Sequence, residues 1–222
     1  MGKLIVFEGL DGSGKSTQLN NLKRYLADIG VAHKQIKLPD YEHDSSILVR
    51  NYLKGDYGSK PDDVNAYAAS SLFAVDRFAS FKMYWGRDYN AGSLILADRY
   101  TTSNAALQCS KLPKDKWDEY LEWLYDFEFN KIGIPKPDLV LFFDMLPQIS
   151  QTLLSKRYKG EESKKDIHER DRQYLERCRD ASLYSAEKLG WEVIKCYEGD
   201  SPKSIEEIFK TVKDKVSQLI KE

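Results

Sequence analysis

The sequence is poor in cysteine, with only Cys109, Cys178 and Cys196. An odd, widely spaced set of three makes neither a disulfide framework nor a zinc cluster, so reduced thiols in a cytoplasmic protein are expected. Net charge is almost absent: 34 basic against 35 acidic residues leave −1, which gives no reason to expect nucleic acid or an anionic membrane as the main partner. Any work done by basic residues must then be local. No apolar run approaches the length of a bilayer-spanning helix. The start, Met1-Gly2-Lys3, passes straight into an apolar run without a signal-peptide pattern, and Val6 stands where N-myristoylation favours Ser or Thr. There is no internal repeat and no low-complexity tract.

What remains is a chain of 222 residues, suited to one α/β domain over 1–222, with 41% hydrophobic residues to fill its core. Four short apolar runs predict buried strands: Leu4 to Phe7, Leu94 to Ala97, Leu139 to Phe143, and Trp191 to Ile194. Lys34 to Leu38 is a weaker fifth. Helical spacing lies between them, in Leu19, Leu22, Leu26 and Ile29, in Trp117, Leu121, Leu124 and Tyr125, and in Ile205, Ile208, Val212 and Val216. Gly30 and Gly190 end helices, and Pro135 and Pro137 precede the third strong strand. Strands alternating with helices imply a parallel sheet covered on both faces. Lys156 to Arg172 is crowded with charge and nearly empty of large apolar residues, which predicts an exposed loop or lid.

The pattern G-x-x-x-x-G-K-[ST] is met by Gly9, Gly14, Lys15 and Ser16, between a buried strand and an amphipathic helix. Glycines let the backbone of Gly9, Asp11, Gly12, Ser13 and Gly14 curl so that successive N–H groups face phosphate oxygens. The helix starting near Lys15, Ser16 and Thr17 turns its positive dipole end to the same anion. Lys15 can neutralise the outer phosphates of ATP, and the Ser16 hydroxyl can bind Mg²⁺. A switch GTPase normally carries Asn-Lys-x-Asp, but Asn130-Lys131-Ile132-Gly133 lacks the aspartate. The second strong strand ends in Asp98-Arg99-Tyr100, where ligands bind in open α/β sheets. There Asp98 can hold magnesium or its waters, and Arg99 can bridge donor and acceptor phosphates.

Four segments together resemble the thymidylate kinase family, over nearly the whole chain. They are Phe7 to Gln18; Asp98 to Gln108, similar to D-R-Y-x-x-S-x-x-A-[YF]-Q; Leu72-Phe73-Ala74-Val75-Asp76-Arg77, similar to L-F-x-A-x-R; and Pro135-Lys136-Pro137-Asp138-Leu139, similar to P-x-P-D-L. The resemblance implies a three-layer P-loop fold with a five-stranded parallel sheet flanked by helices and a charged lid over about 156–172. It also implies phosphorylation of dTMP to dTDP by ATP with Mg²⁺. Carried over residue by residue, Phe73 stacks on thymine, Arg77 reads the base, Asp11 contacts the acceptor, and Arg99 clamps phosphate. Tyr100 belongs to the same segment, and Asn104 and Gln108 carry amides suited to a base edge. Relatives are homodimers, so a homodimer is expected on the same ground.

Members of the family carry an arginine either in the phosphate loop or in the lid. Gly12 supplies none, so the lid must bring positive charge; Arg157 is the first choice among Arg157, Lys159, Lys164, Lys165 and Arg170. Two departures concern the acceptor. Tyr41 stands near the position of an acceptor-phosphate arginine, with Arg50 as a substitute. Leu107 stands where the family usually has an aromatic. These departures keep open a kinase of another nucleotide or of a deoxynucleoside. A nucleotide-binding regulatory protein without turnover is the alternative from another class. It is opposed by Lys15, Ser16, Asp98 and Arg99, which together are a catalytic set.

Overall fold

The computed structural model describes residues 1–157 and 172–221. Five strands form one parallel sheet: β1 (Leu4–Glu8), β2 (His33–Lys37), β3 (Leu94–Asp98), β4 (Leu139–Asp144) and β5 (Glu192–Lys195), in the order β2-β3-β1-β4-β5. A short antiparallel pair, β6 (Tyr197–Glu198) and β7 (Ser201–Pro202), lies outside it.

Alternation along the strands divides two cores. Ile5 and Phe7 of β1, Leu94 and Leu96 of β3, and Leu141 and Phe143 of β4 face α1 (Lys15–Asp28) and, at the chain end, α8 (Ile205–Lys221). Leu4, Val6, Ile95, Ala97, Val140 and Phe142 face the opposite layer. That layer draws on α3 (Ala66–Ser80), which runs on through a π-helical turn, Phe81–Trp85, into α4 (Gly86–Asn90). It also contains α5 (Trp117–Tyr125) and α7 (Arg172–Leu189). Both faces of β1 are buried, so it has the unbroken apolar run of a central parallel strand. The fifth strand looked weak because β2 is an edge strand in which only Ile36 is buried. Two short helices complete the framework: α2 (Ile47–Lys54) on the acceptor side and α6 (Pro147–Arg157) after β4.

Two expected core positions are corrected. Ile29 and Ile205 are each 49% exposed. Ile29 caps the end of α1 and Ile205 opens α8, and at both ends the apolar stripe has run past the sheet it covers. The chain leaves β1 for the β2–β3 side and later crosses back to β4, so the order reverses beside β1. Crevices at such switch points open at the carboxyl ends of the strands. Register places Phe7 opposite Asp98 and Glu8 opposite Phe142 there.

Candidate active site

The phosphate loop joins β1 to α1. Gly9 has φ 149°, and a Cβ there would lie 2.7 Å from the Phe143 carbonyl oxygen. Gly12 has φ 83°, and a Cβ would lie 2.5 Å from the Ser150 carbonyl oxygen. Both positions therefore admit only glycine. Gly14 caps α1 with no side-chain acceptor, and the first turn of α1 has no acidic residue. Its free N–H groups and dipole are left for an external anion. The Lys15 ammonium crosses back over the loop, donating to the Gly9 carbonyl at 2.7 Å and the Leu10 carbonyl at 3.1 Å. Ser13 is buried and its hydroxyl has no partner among the described residues; Ser16 and Thr17 are exposed on the first turn.

Arg99 leaves β3 in the left-handed region, at φ 69°, which turns its side chain back toward β1. Its guanidinium donates to Glu8 Oε1 at 2.9 Å, Asp11 Oδ2 at 2.8 Å and Ser103 Oγ at 3.3 Å. Glu8 is buried and saturated: Oε1 also accepts the Gly9 N–H at 2.9 Å, and Oε2 accepts the hydroxyls of Thr102 at 2.7 Å and Ser103 at 2.6 Å. One carboxylate thus ties the phosphate loop to the arginine and to the turn after β3. Glu8 was part of a quoted motif but had no assigned role; its place as the last residue of the strand before the loop was the available signal.

These charges shift one another. Burial and the Arg99 charge lower the Lys15 pKa, and Asp11, Asp98 and Glu8 only partly offset them. Burial works to raise the Asp11 pKa, but Arg99 and Lys15 outweigh it and hold the carboxyl well below the usual range. Burial works to lower the Arg99 pKa, and the carboxylates of Asp11, Glu8 and Asp98 reverse it, so the guanidinium stays charged. Asp98 is buried, and among the described residues its carboxylate takes part in no recorded hydrogen bond. It faces the same cleft as Ser16. A hydroxyl and an uncommitted carboxylate are hard oxygen donors, and such a pair suits Mg²⁺, which keeps most of its waters.

The cleft has a volume of ≈ 310 Å³ and brings Asp11, Lys15, Ser16, Asp98 and Arg99 together with Phe73, Arg77, Tyr100, Asn104 and Gln108. Phe73 and Arg77 lie one turn apart on α3, and the Phe73 ring is held edge-on by Tyr52 at 6.0 Å. Asn104 and Gln108 lie in a π-helical turn, Asn104–Gln108. Gln108 is fully buried, and neither end of its amide has a partner among the described residues. Tyr100 lines the cleft, while its ring packs against Trp85 in the core and its hydroxyl donates to the Pro135 carbonyl at 2.9 Å. Its carbonyl accepts from Arg77 Nη1 at 3.5 Å.

The acceptor side is also corrected. Arg50 is turned to the Tyr41 carbonyl at 3.4 Å and to Asp44 at 3.5 Å, and it is not among the cleft residues. Lys37, at the carboxyl end of β2 and paired in register with Asp98, does line the cleft beside Tyr41. Sequence reasoning passed over it, although its place at a strand end just before Pro39 was legible. Leu107 lines the cleft with Leu10 and Leu175, an apolar wall where an aromatic was usual. Arg157 closes α6; of the lid predicted over about 156–172, residues 158–171, with Lys159, Lys164, Lys165 and Arg170, lie outside the described residues.

A family model described as thymidylate kinase matches residues 7–209. The chain is 29% identical over 182 residues to a thymidylate kinase of Mycobacterium tuberculosis, covering 78% of this chain and 81% of that one. It is 27% identical over 222 residues to a thymidylate kinase of Danio rerio, covering 99% and 92%. It is 32% identical over 169 residues to a probable thymidylate kinase of Methanosarcina barkeri, covering 73% and 74%. The fold matches the solved thymidylate kinase of Candida albicans with a TM-score of 0.69 at 24% identity, over 98% of this chain and 92% of that one.

Proposed function

The chain belongs to the thymidylate kinase family, and from that membership we propose that its cleft moves the γ-phosphoryl group of ATP onto the phosphate of dTMP, giving dTDP. The observation that carries this reading is the meeting, in one cleft, of an uncapped phosphate-loop helix, the Lys15–Asp11–Arg99–Glu8 charge cluster and a wall of aromatic, arginine and amide side chains.

The acceptor is already an anion, so no strong general base is needed, and catalysis is positioning plus charge stabilisation. The loop N–H groups and Lys15 hold the outer phosphates of ATP. Arg99, kept charged and aimed by Glu8 and Asp11, stabilises the negative charge that develops between donor and acceptor. Ser16 and Asp98 would hold Mg²⁺, which when bound neutralises phosphate charge. Phe73 stacks on the acceptor base, and Arg77, Asn104 and Gln108 read its edge. Lys37 supplies, beside Tyr41, the positive charge for the acceptor phosphate that a tyrosine lacks. ADP release tests the assignment with dTMP, dUMP, dCMP, dGMP, UMP and thymidine as acceptors. Stimulation by dTMP is expected, and its absence would remove the reading. A response to thymidine alone would favour a nucleoside kinase.

The protein works as a cytoplasmic homodimer. Among the described residues no helix is long and apolar enough to cross a membrane. Val75 and Phe78 of α3 and Met83 of the following turn are exposed, Met83 by 66%, and they form a patch on the side of the helix away from Arg77. A second copy of the chain is its proposed occupant, since α3 also carries Phe73 and Arg77 and would be steadied by the contact.

A further inference from the structure

The geometry points to Glu128 as a positioning residue that sets the hydrogen-bond polarity of the base-reading wall, so that it accepts a keto-pyrimidine and rejects an amino-pyrimidine. This rests on the proposed dTMP acceptor and deepens it. Glu128 lies in a π-helical turn, Asp126–Ile132, after α5, and is completely buried. A π-turn holds an extra residue and displaces side chains from ordinary helical positions, and such turns gather at functional sites. The wall that Glu128 meets contains a second one, Asn104–Gln108.

Every acceptor position of the Glu128 carboxylate is turned toward that wall. It accepts from Arg77 Nε at 2.6 Å, from Arg77 Nη2, from Thr101 Oγ1 at 2.7 Å and from Asn104 Nδ2 at 3.3 Å. Asn104 Nδ2 also donates to the Ser70 carbonyl at 3.3 Å. The amide orientation follows: a flipped Asn104 would set its oxygen against two oxygens, one of them anionic. The Asn104 nitrogen is therefore committed to the protein, and its Oδ1, which accepts no recorded hydrogen bond among the described residues, is left for the cleft. Arg77 has no acceptor atom at all; with Nε and Nη2 spent on Glu128 and one N–H of Nη1 on the Tyr100 carbonyl at 3.5 Å, the second N–H of Nη1 remains for the ligand. The wall thus offers one donor and one acceptor in a fixed order. Gln108 differs: with no partner at either end, it can present nitrogen or oxygen and imposes no polarity.

Thymine and uracil carry an acceptor at O4 beside a donor at N3–H, which complements that order. Cytosine carries a donor at N4 and an acceptor at N3, which opposes both groups. A site whose buried polar groups would be left unpaired discriminates strongly. Removing the charge of Glu128 frees the Asn104 amide to turn.

The test is E128Q, assayed for ADP release with dTMP and dCMP. The ratio of kcat/KM for dTMP to that for dCMP is expected to fall at least about tenfold, with a raised KM for dTMP and an unchanged KM for ATP. E128D keeps the buried charge and so guards against misfolding. It withdraws the carboxylate by one methylene, and the ratio should fall in the same direction by less. A plain structural ion pair would lower both acceptors by one factor, so an unchanged ratio in folded E128Q or E128D overturns the inference. A wild-type protein that ignores dTMP overturns the acceptor reading as well. Wild-type turnover of dTMP with an unchanged variant ratio removes the role of Glu128 alone.

Discussion

Replacing Glu8 by glutamine tests whether the catalytic arginine is aimed by the sheet. The carboxylate accepts four hydrogen bonds, two on each oxygen. A glutamine can keep its oxygen toward Gly9 and Arg99 and turn its nitrogen toward Thr102 and Ser103, whose hydroxyls rotate to accept. Shape and bond count are then nearly preserved, and what is lost is the charge beside Arg99. A charge-assisted bond worth about 1.5–3 kcal/mol becomes an ordinary one worth about 0.5–1.5, so a stability loss of about 1–2 kcal/mol follows. For a chain of this size that is a fall in Tm of roughly 2–8 °C. Arg99 retains Asp11, but Asp11 is 45% exposed and a looser anchor. A guanidinium displaced by about 1 Å costs on the order of 10²-fold, or about 2.7 kcal/mol of barrier. Steady-state ADP release with dTMP should therefore show kcat about 100-fold down and KM for ATP changed by less than about threefold. A folded Glu8→Gln protein with kcat within about threefold of wild type would refute the idea that this carboxylate aims Arg99.

Arg99→Ala should lower kcat by about 10³-fold or more, as loss of a phosphate-clamping arginine does, while circular dichroism shows the fold intact; near-normal turnover would sink the clamp. Lys15→Ala should abolish turnover and weaken ATP binding measured by calorimetry, because it removes the ammonium that crosses the phosphate loop. Burial pushes the thiols of Cys109, Cys178 and Cys196 up to about 12. They stay protonated below that pH, so a thiol reagent at pH 8 should label none in native protein and three after unfolding; fast native labelling would contradict the burial. Met83→Asp with Phe78→Glu should give a monomer by sedimentation, and a dimer that persists would place the interface elsewhere.

Much of the framework was legible because it is written in contiguous residues. A central strand covered on both faces must be an unbroken apolar run, as Leu4 to Phe7 is, and the phosphate loop is a local backbone conformation that Gly9 and Gly12 alone admit. The edge strand β2 was fainter, since it buries one residue against the sheet, whereas β5, which also buries one, was legible in the apolar run Trp191 to Ile194. Where the Tyr100 ring goes was not legible, because a side chain after a strand end can turn to either side, and packing against Trp85 decided it.

By itself the sequence determined the α/β class, the strand positions, the phosphate loop and the family, all carried by local spacing and short motifs. Only the tertiary structure decided how the charges are spent. Glu8 reaches Arg99 across 91 residues, and Arg77 reaches Glu128 across 51. Both are pairings between separate elements, with no periodicity to announce them. Lys37 and Arg50 look interchangeable as cations in a string of letters, and only the fold set the first in the cleft and turned the second away. The physical reason is that a buried carboxylate must find its donors wherever packing brings them, and sequence separation has no part in that.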